Sequence, residues 1–180
     1  MATFCPPRVF AIQEMRQRVA TEAGFVGEPL REAFEEHYGR LVRLCFLLTG
    51  ERDAAEDVAQ EAFVRLATKI DRLEPGAVGP YVRRIAVNLW KNRLRRMALE
   101  LRHRREAPPP GDRIAFEDRD ELWTVVKRLP PRQRACVVLR YYEDLSERDV
   151  ASTLGCSIGA VKSQTSKALA RLRKELGHVD

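Results

Sequence analysis

The stretch from Leu145 to Leu176 constrains the fold more than any other part of this 180-residue chain. It predicts two helices joined by a tight turn. Ser146 is a good N-cap, because its hydroxyl can accept a free backbone N–H of the first helical turn. Gly155 lies where the chain must become left-handed to leave the first helix, and Ser157 can cap the second. A short helix, a glycine turn and a longer helix are typical of a helix-turn-helix.

Apolar and charged residues of this stretch separate onto opposite faces. The residues expected to face inward are Val150, Ala151, Leu154, Val161, Ala168, Leu169, Leu172 and Leu176. The outer face of the second helix carries Lys162, Lys167, Arg171, Arg173 and Lys174, and no acidic residue occurs from Ile158 to Lys174. Basic faces are common on ordinary helical hairpins. The two serine caps, the glycine turn and the exclusively basic outer face together favour DNA binding, with the second helix in the major groove.

The overall composition narrows the class of protein. A net charge of +6 and a pI of about 9.4 favour a polyanionic partner. No apolar run approaches the ~18 residues of a membrane span, and Met1 to Phe10 lacks the apolar core of a signal peptide. We therefore expect a cytoplasmic protein without membrane contact. The cysteines Cys5, Cys45, Cys136 and Cys156 are far apart, so we predict neither a metal site nor a cofactor.

Two helices are predicted after residues 1–28, which we interpret as a mobile extension or, alternatively, as an arm that docks on a partner. The first helix has an apolar stripe from Leu30 to Leu48 and ends near Gly50. Asp53 is predicted to cap the second helix, with Glu56 at the capping-box position. The inward stripe of the second helix is Val58, Ala59, Ala62, Phe63, Leu66 and Ile70. Its outer face is acidic and amide-rich, for which solvent exposure is the ordinary explanation.

A second basic surface comes after the Gly- and Pro-rich loop 71–80. The helix predicted from Tyr81 to at least Arg96 packs Tyr81, Val82, Ile85 and Leu89 inward. From Tyr81 to Arg105 the chain holds nine basic residues and a single acidic one. Tyr81 and Trp90 add aromatic rings, which suit unstacked bases beside cationic groups. Core packing is an equal alternative for Tyr81, and Asn88 could bond locally or reach a base edge.

Residues 106–117 contain three consecutive prolines and a glycine and predict a linker. The next predicted helix has Leu122, Val125, Val126 and Leu129 inward. Pro130 and Pro131 end it and start another, with Ala135, Val138, Leu139 and Tyr142 inward. The C-terminal unit therefore has four helices. No strand pattern is evident, so the sequence predicts an all-α fold.

Four stretches in this order resemble a known family. They are Asp53–Leu66, Tyr81–Arg96, Leu129–Tyr142 and Leu145–Leu172. The chain resembles a bacterial RNA polymerase sigma factor of the extracytoplasmic-function (ECF) type, in the sigma-70 family. The resemblance implies two small helical domains, a sigma region 2 bundle (29–97) and a sigma region 4 helix-turn-helix (118–177). A flexible Pro-rich linker (98–117) would join them.

The resemblance also assigns roles in region 2. The acidic helix would dock on the β′ clamp helices of core RNA polymerase through Asp53, Glu56, Asp57, Gln60 and Glu61. The loop 70–80 would capture an unpaired base of the promoter −10 element. The basic helix would line the path of the melted strand through Tyr81, Arg84, Asn88, Lys91, Asn92, Arg95 and Arg96. Selective binding of the open strand would offset the cost of unstacking, a few kcal/mol per base.

In region 4, the second helix of the helix-turn-helix would enter the major groove at the −35 element. The residues carried over are Arg132, Arg134, Lys162, Ser163, Gln164, Ser166, Lys167 and Arg171. Lysines can donate to guanine O6 and N7, whereas arginines near the helix ends suit phosphates. The same domain would sit on the polymerase β flap. Family members are often held by an anti-sigma factor.

Some residues depart from the family pattern. Pro80-Tyr81-Val82 stands where a Trp-Leu pair is frequent, Asn92 replaces a common Asp, and Ser166 and Lys167 stand where larger or arginine side chains are frequent. These changes bear on the preferred promoter, not on the fold. The alternative function is a stand-alone helix-turn-helix regulator, which would need neither the second basic helix nor the acidic one. No enzyme is predicted, since phosphate loops, nucleophile elbows and carboxylate–histidine clusters are missing from the sequence.

Overall fold

A computed structural model describes residues 27–103 and 121–177, and within these ranges the chain is helical without strands. The N-terminal domain (27–103) contains α1 (Glu28–Thr49), α2 (Arg52–Ala67) and α3 (Val78–His103). The C-terminal domain (121–177) contains α4 (Glu121–Val126), α5 (Pro131–Val137), α6 (Glu147–Leu154) and α7 (Ile158–Leu176). The predicted all-α fold is confirmed. The N-terminal extension and most of the predicted linker lie outside the described residues.

Helices α1 and α2 form an antiparallel pair around the predicted apolar stripes. Gly50 ends α1 in the left-handed conformation, with φ 81°, and its N–H donates to the Phe46 carbonyl. The predicted stripe of α2 is buried from Val58 to Leu66, and Ile70 is buried just beyond it. The predicted cap of α2 is wrong: Glu51 is the N-cap, and Asp53 lies inside the first turn. A carboxylate there still favours the positive helix end.

The loop before α3 is more ordered than its composition predicted. It contains two short 3-10 helices, Ile70–Arg72 and Pro75–Ala77. Helix α3 begins at Val78, before the predicted start at Tyr81, and Pro80 occupies its first turn, where a missing N–H costs little. It continues to His103 and so includes residues 98–103 of the predicted linker.

The helix-turn-helix forms as the sequence indicated. The hydroxyl of Ser146 accepts a hydrogen bond from the Asp149 N–H at 3.1 Å. Gly155 is left-handed, with φ 68°. The hydroxyl of Ser157 accepts from the Ala160 N–H at 3.1 Å. These caps and the glycine set where α6 ends and where α7 begins.

Three residues expected to face inward are exposed instead. Leu122 is 49% exposed, whereas its neighbour Trp123 is buried. Tyr142 is 39% exposed, because residues Val138–Tyr142 form a π-helical turn. A π turn adds a residue to the helical repeat and rotates the later residues out of the α-helical stripe. Leu176, at 36%, lies at the end of α7.

The two domains pack against each other, although the sequence predicts two modules connected only by a flexible linker. Helix α1 contacts α5 and the π-helical turn, and α3 contacts α6. The larger apolar cluster contains Leu48 and Val87 of the N-terminal domain together with Leu139, Val150 and Val161 of the C-terminal domain. Both domains are therefore present, and they share a core.

Candidate nucleic-acid interface

Helix α7 presents the first basic surface. The exposed residues among those predicted to read the −35 element are Lys162, Ser163, Ser166, Lys167 and Arg171; Gln164 is half-buried. On the inner side, Val161, Ala168 and Leu172 are buried. One face of a rigid helix therefore carries hydroxyl, amide and cationic groups without interruption. Such a surface matches the donors and acceptors on base edges in the major groove.

An acidic group of a neighbouring helix enters this surface. The Glu147 carboxylate of α6 lies 3.6 Å from the Lys162 ammonium, and both side chains are well exposed. The sequence analysis did not predict this carboxylate. It considered only the residues of the second helix, where no acidic residue occurs from Ile158 to Lys174, and Glu147 belongs to α6. Exposed pairs of this kind contribute little to stability. The carboxylate can still orient Lys162 in the absence of DNA.

The two arginines at the start of α5 lie in different environments. Arg132 is exposed, as a phosphate contact requires. Arg134 is buried in this arrangement, where its guanidinium donates to the carbonyls of Leu48 at 2.8 Å and Lys127 at 3.1 Å and does not face solvent. Burial lowers the pKa of Arg134 from its usual value. Residues two apart on an α-helix point about 200° apart, so only one of the pair could face outward.

Helix α3 presents the second basic surface. Its exposed residues are Arg84, Asn88, Asn92, Arg95 and Arg96; Lys91 and Tyr81 are half-buried. Asn88 and Asn92 accept hydrogen bonds within the helix, from Lys91 at 3.4 Å and from Arg95 at 3.1 Å. Of the two alternatives for Asn88, the free chain shows the local hydrogen bond. Burial, followed by the charge of Arg95, lowers the pKa of Lys91.

Only one of the two aromatic residues predicted for the basic surface of α3 lies on that surface. Trp90 is only 3% exposed and belongs to the core, so it lies outside the basic surface. Trp90 lies three residues after Val87 and so continues the buried stripe of α3. The sequence analysis did not assign it to that stripe because basic residues surround it in the chain. The ring of Tyr81 packs partly against the same core and keeps some exposure. It is the aromatic residue of this surface that remains available to a base.

The two basic surfaces belong to domains that meet at the helix-turn-helix turn. A side-chain carbon built at Gly155 would lie 3.4 Å from the Lys91 ammonium. Since α3 also contacts α6, the −10 and −35 candidates occur on one packed body.

The predicted docking face of α2 is solvent-accessible. Asp53, Asp57 and Glu61 are exposed, and Glu56 and Gln60 are half-buried. Two carboxylates are paired within the helix: Arg52 donates to Glu56 at 2.9 Å, and Arg65 donates to Glu61 at 2.8 Å. Val64, 42% exposed, is an apolar residue one turn beyond Gln60 and Glu61 that the sequence pattern did not single out. An exposed apolar residue surrounded by polar groups matches the apolar centre and polar rim of a protein–protein interface.

Matches to known families cover most of both domains. Residues 33–99 match Sigma-70 region 2, and residues 119–172 match Sigma-70, region 4. The RNA polymerase sigma-E factor of Streptomyces coelicolor is 35% identical over 159 residues, which cover 84% of this chain and 89% of that protein. The ECF RNA polymerase sigma factor SigE of Mycolicibacterium smegmatis is 33% identical over 158 residues. That match covers 81% of this chain and 60% of the relative's length.

Solved structures share the fold. The sigma factor RpoE of Bartonella quintana, crystallised with the anti-sigma factor NepR, has a TM-score of 0.65 at 23% identity, covering 83% of this chain and 97% of that chain. CnrH, in complex with the cytosolic domain of CnrY, has a TM-score of 0.59 at 21% identity, covering 92% and 99%. These likenesses concern the fold alone. Among the described residues, no helix has the length and apolarity of a membrane span.

The fold and the two basic surfaces define an all-α, two-domain DNA-binding protein with a helix-turn-helix. The chain belongs to the ECF RNA polymerase sigma factors of the sigma-70 family. The resemblance noted from the sequence is confirmed. Members of this family are transcription initiation factors, which direct RNA polymerase to promoters.

Proposed function

We propose that this chain binds core RNA polymerase in the cytoplasm and directs it to promoters with specific −35 and −10 elements. The observation that carries the proposal is the presence of two basic surfaces on separate helices, α3 and α7, in one chain with an accessible acidic face on α2. A stand-alone regulator needs α7 only. The chain itself performs no chemistry, because melting requires selective binding of the open strand rather than a covalent step.

At the −35 element, α7 enters the major groove. Lys162 and Lys167 donate to base edges, with Ser163, Gln164 and Ser166 beside them. Arg171 and Arg132 contact phosphates, which position the helix without specifying sequence. Each good base contact is worth about 1–3 kcal/mol of discrimination.

At the −10 element, α3 holds the melted strand. Arg84, Lys91, Arg95 and Arg96 neutralise its phosphates, and Tyr81 stacks on a base released from the duplex. Asn88 and Asn92 exchange their bonds within the helix for bonds to the strand.

The acidic face of α2 is the polymerase-docking surface. Asp53, Glu56, Asp57, Gln60 and Glu61 meet the β′ clamp helices, with Val64 at the apolar centre, while the C-terminal domain sits on the β flap. An anti-sigma factor is a further partner, in keeping with the complexes of the Bartonella sigma factor and of CnrH.

Run-off transcription tests the function. Core polymerase with the purified chain should produce transcripts from a subset of a random promoter pool, and that subset should share −35 and −10 sequences. Core polymerase alone is the control. Transcription that does not depend on the chain, or tight binding of the isolated chain to the same DNA without any initiation, would favour a regulator.

Charge reversal tests the docking face. The double substitution Glu56→Lys and Asp57→Lys should weaken binding to core polymerase at least about tenfold, because like charges then meet across the interface. The double substitution Glu32→Lys and Glu36→Lys, at exposed positions of α1, makes the same change of net charge and is the matched control. Equal affinity of both variants would exclude this face.

A further inference from the structure

The imidazole ring of His37 lies against the first turn of α3. His37 belongs to α1, and its side chain is 22% exposed. A side-chain carbon built at Gly79 would lie 3.2 Å from the Cε1 atom of this ring and 3.6 Å from both ring nitrogens. Carbon atoms in contact prefer a separation of about 3.5–4.0 Å. Glycine at position 79 therefore leaves free the space that the ring needs.

The backbone of Gly79 does not itself require a glycine. This residue lies within the helix Val78–His103. The positive φ angles among the described glycines are those of Gly50 and Gly155, so Gly79 has an ordinary helical backbone. Glycine is unfavourable in a helix relative to alanine, because it loses more conformational freedom on folding. Room for the His37 ring is thus the property of Gly79 that the structure uses.

The first turn of α3 has little local support. Gly79 has a low helix propensity, and Pro80 supplies no backbone N–H. Contacts with other helices must therefore stabilise this turn. Val78 is buried in the core, and the His37 ring packs against Gly79.

This turn connects the loop before α3 to the basic surface of α3. The second 3-10 helix of the loop, Pro75–Ala77, continues directly into α3 at Val78. Tyr81 comes two residues after Gly79, which places it about 200° further around the helix. His37 therefore supports the turn from the side nearly opposite to Tyr81. A shift of the turn on that side moves both the loop and Tyr81.

We propose that His37 is a positioning residue for the capture of unpaired −10 bases: its ring fixes the first turn of α3, and with it the loop 70–80 and Tyr81, without touching DNA. The inference rests on the proposed function, in which α3 holds the melted strand and Tyr81 stacks on a released base. A binding site is precise only when packed residues behind it fix its side chains. His37 supplies part of that support from α1, a helix with no predicted DNA contact.

Base selectivity at the −10 element tests the positioning role. The measured quantity is the ratio of run-off transcription from a selected promoter to that from the same promoter with single −10 substitutions. His37→Ala should lower this ratio at least about fivefold, since a displaced loop loses part of the discrimination of a base contact. A variant that only reduces the amount of folded protein lowers both rates together and leaves the ratio unchanged. Glu32→Ala, at an exposed position of α1, is the matched control.

A reciprocal substitution tests whether the effect acts through Gly79. The His37 ring borders an open cleft, so it can be displaced without unfolding the domain. Gly79→Leu should lower the ratio as His37→Ala does, because the new side chain displaces the ring. The double variant should recover much of the parental ratio, since the leucine then takes the place of the ring. Gly39→Leu, where a side-chain carbon meets no atom within 4 Å, should leave the ratio unchanged.

Hydrogen exchange of the loop gives a measurement that does not depend on transcription. The amides of Leu73 and Ala77 donate hydrogen bonds within the loop, at 3.0 Å and 2.8 Å. In the isolated chain they should exchange at least about threefold faster in His37→Ala than in the parent, because the loop opens more often. Glu32→Ala should exchange at the parental rate. If His37→Ala fails to fold, as judged by circular dichroism, His37→Asn replaces it with a smaller planar group.

The two measurements separate this inference from the proposed function. Promoter-specific transcription by the parent, with the same ratio in His37→Ala, would overturn the inference and leave the function standing. A double variant that loses as much as both single variants combined would also overturn it. A parent that initiates at no promoter would overturn the function, and the positioning of −10 bases with it. Faster loop exchange in His37→Ala would then still support the contact with Gly79, whereas parental exchange rates would exclude it.

Discussion

The two basic helices, α3 and α7, hold their polar side chains in different ways. On α7 the cations project into solvent, and the only acidic neighbour among the described contacts of its predicted DNA-facing residues is Glu147, from another helix. On α3 the amides and cations bond to each other along the helix, and one edge packs against the C-terminal domain. A surface that reads a rigid duplex can be preformed, whereas a surface for a single strand can exchange internal bonds for contacts with a flexible ligand.

The largest effect should separate the two aromatic residues of α3. Trp90→Ala should destabilise the protein by about 3–5 kcal/mol, because it removes a buried ring and leaves a cavity. Tyr81→Ala should cost much less stability and should mainly lower transcription from promoters that need melting. Urea unfolding and run-off assays measure the two effects. Comparable loss of stability in both variants would place Tyr81 in the core as well.

The turn between α6 and α7 gives the next largest effect. Gly155→Val should cost about 2 kcal/mol, since a β-branched residue is strained at positive φ and its side chain would approach Lys91. Gly155→Asn should cost clearly less, because asparagine tolerates the left-handed region. Thermal unfolding compares them. Equal stability of the two variants would show that the turn does not depend on this conformation.

Substitutions on α7 and on α3 should affect transcription from duplex and pre-melted templates differently. Lys167→Ala on α7 should reduce transcription about tenfold at −35-dependent promoters, whether or not the −10 region is melted in advance. Arg95→Ala on α3 should reduce it several-fold on a duplex template and less on a pre-melted one. Run-off assays with matched duplex and bubble templates separate the two. Identical losses for Arg95→Ala on both templates would remove the proposed division of labour.

The smallest effect concerns the start of α7. Ser157→Ala should cost about 1 kcal/mol, because it removes the hydroxyl that accepts from Ala160. Glu51→Ala at the start of α2 should cost almost nothing, since Glu51 makes no side-chain capping bond. The urea midpoints of the two single variants give the comparison. A larger loss for Glu51→Ala would mean that its carboxylate acts by charge rather than as a cap.

Local features of the fold could be predicted because they depend on neighbouring residues. The capping hydroxyls of Ser146 and Ser157 and the left-handed Gly155 arise from backbone groups that must be satisfied within one turn. The stripe from Val58 to Leu66 arises from helical periodicity. Family resemblance then supplied the roles of residues on the outer faces, which periodicity alone does not assign.

Features that depend on distant contacts could not be predicted. The π-helical turn rotates Tyr142 outward and has no local signal in the sequence. Arg134 is buried because its hydrogen-bond partners include the carbonyl of Leu48, a residue from a helix 86 positions away. The packing of the two domains likewise depends on complementary surfaces formed by several helices. The periodicity of a single helix does not indicate which other helix it contacts.

The contact between Phe46 and Trp123 makes the fluorescence of Trp123 a probe of the domain boundary. Trp123 is one of only two indoles in the chain, and its partner ring lies across the domain boundary. Any separation of the domains would hydrate Trp123 and shift its emission to longer wavelength. The packing of the two domains in the native chain can therefore be followed in real time without any attached dye.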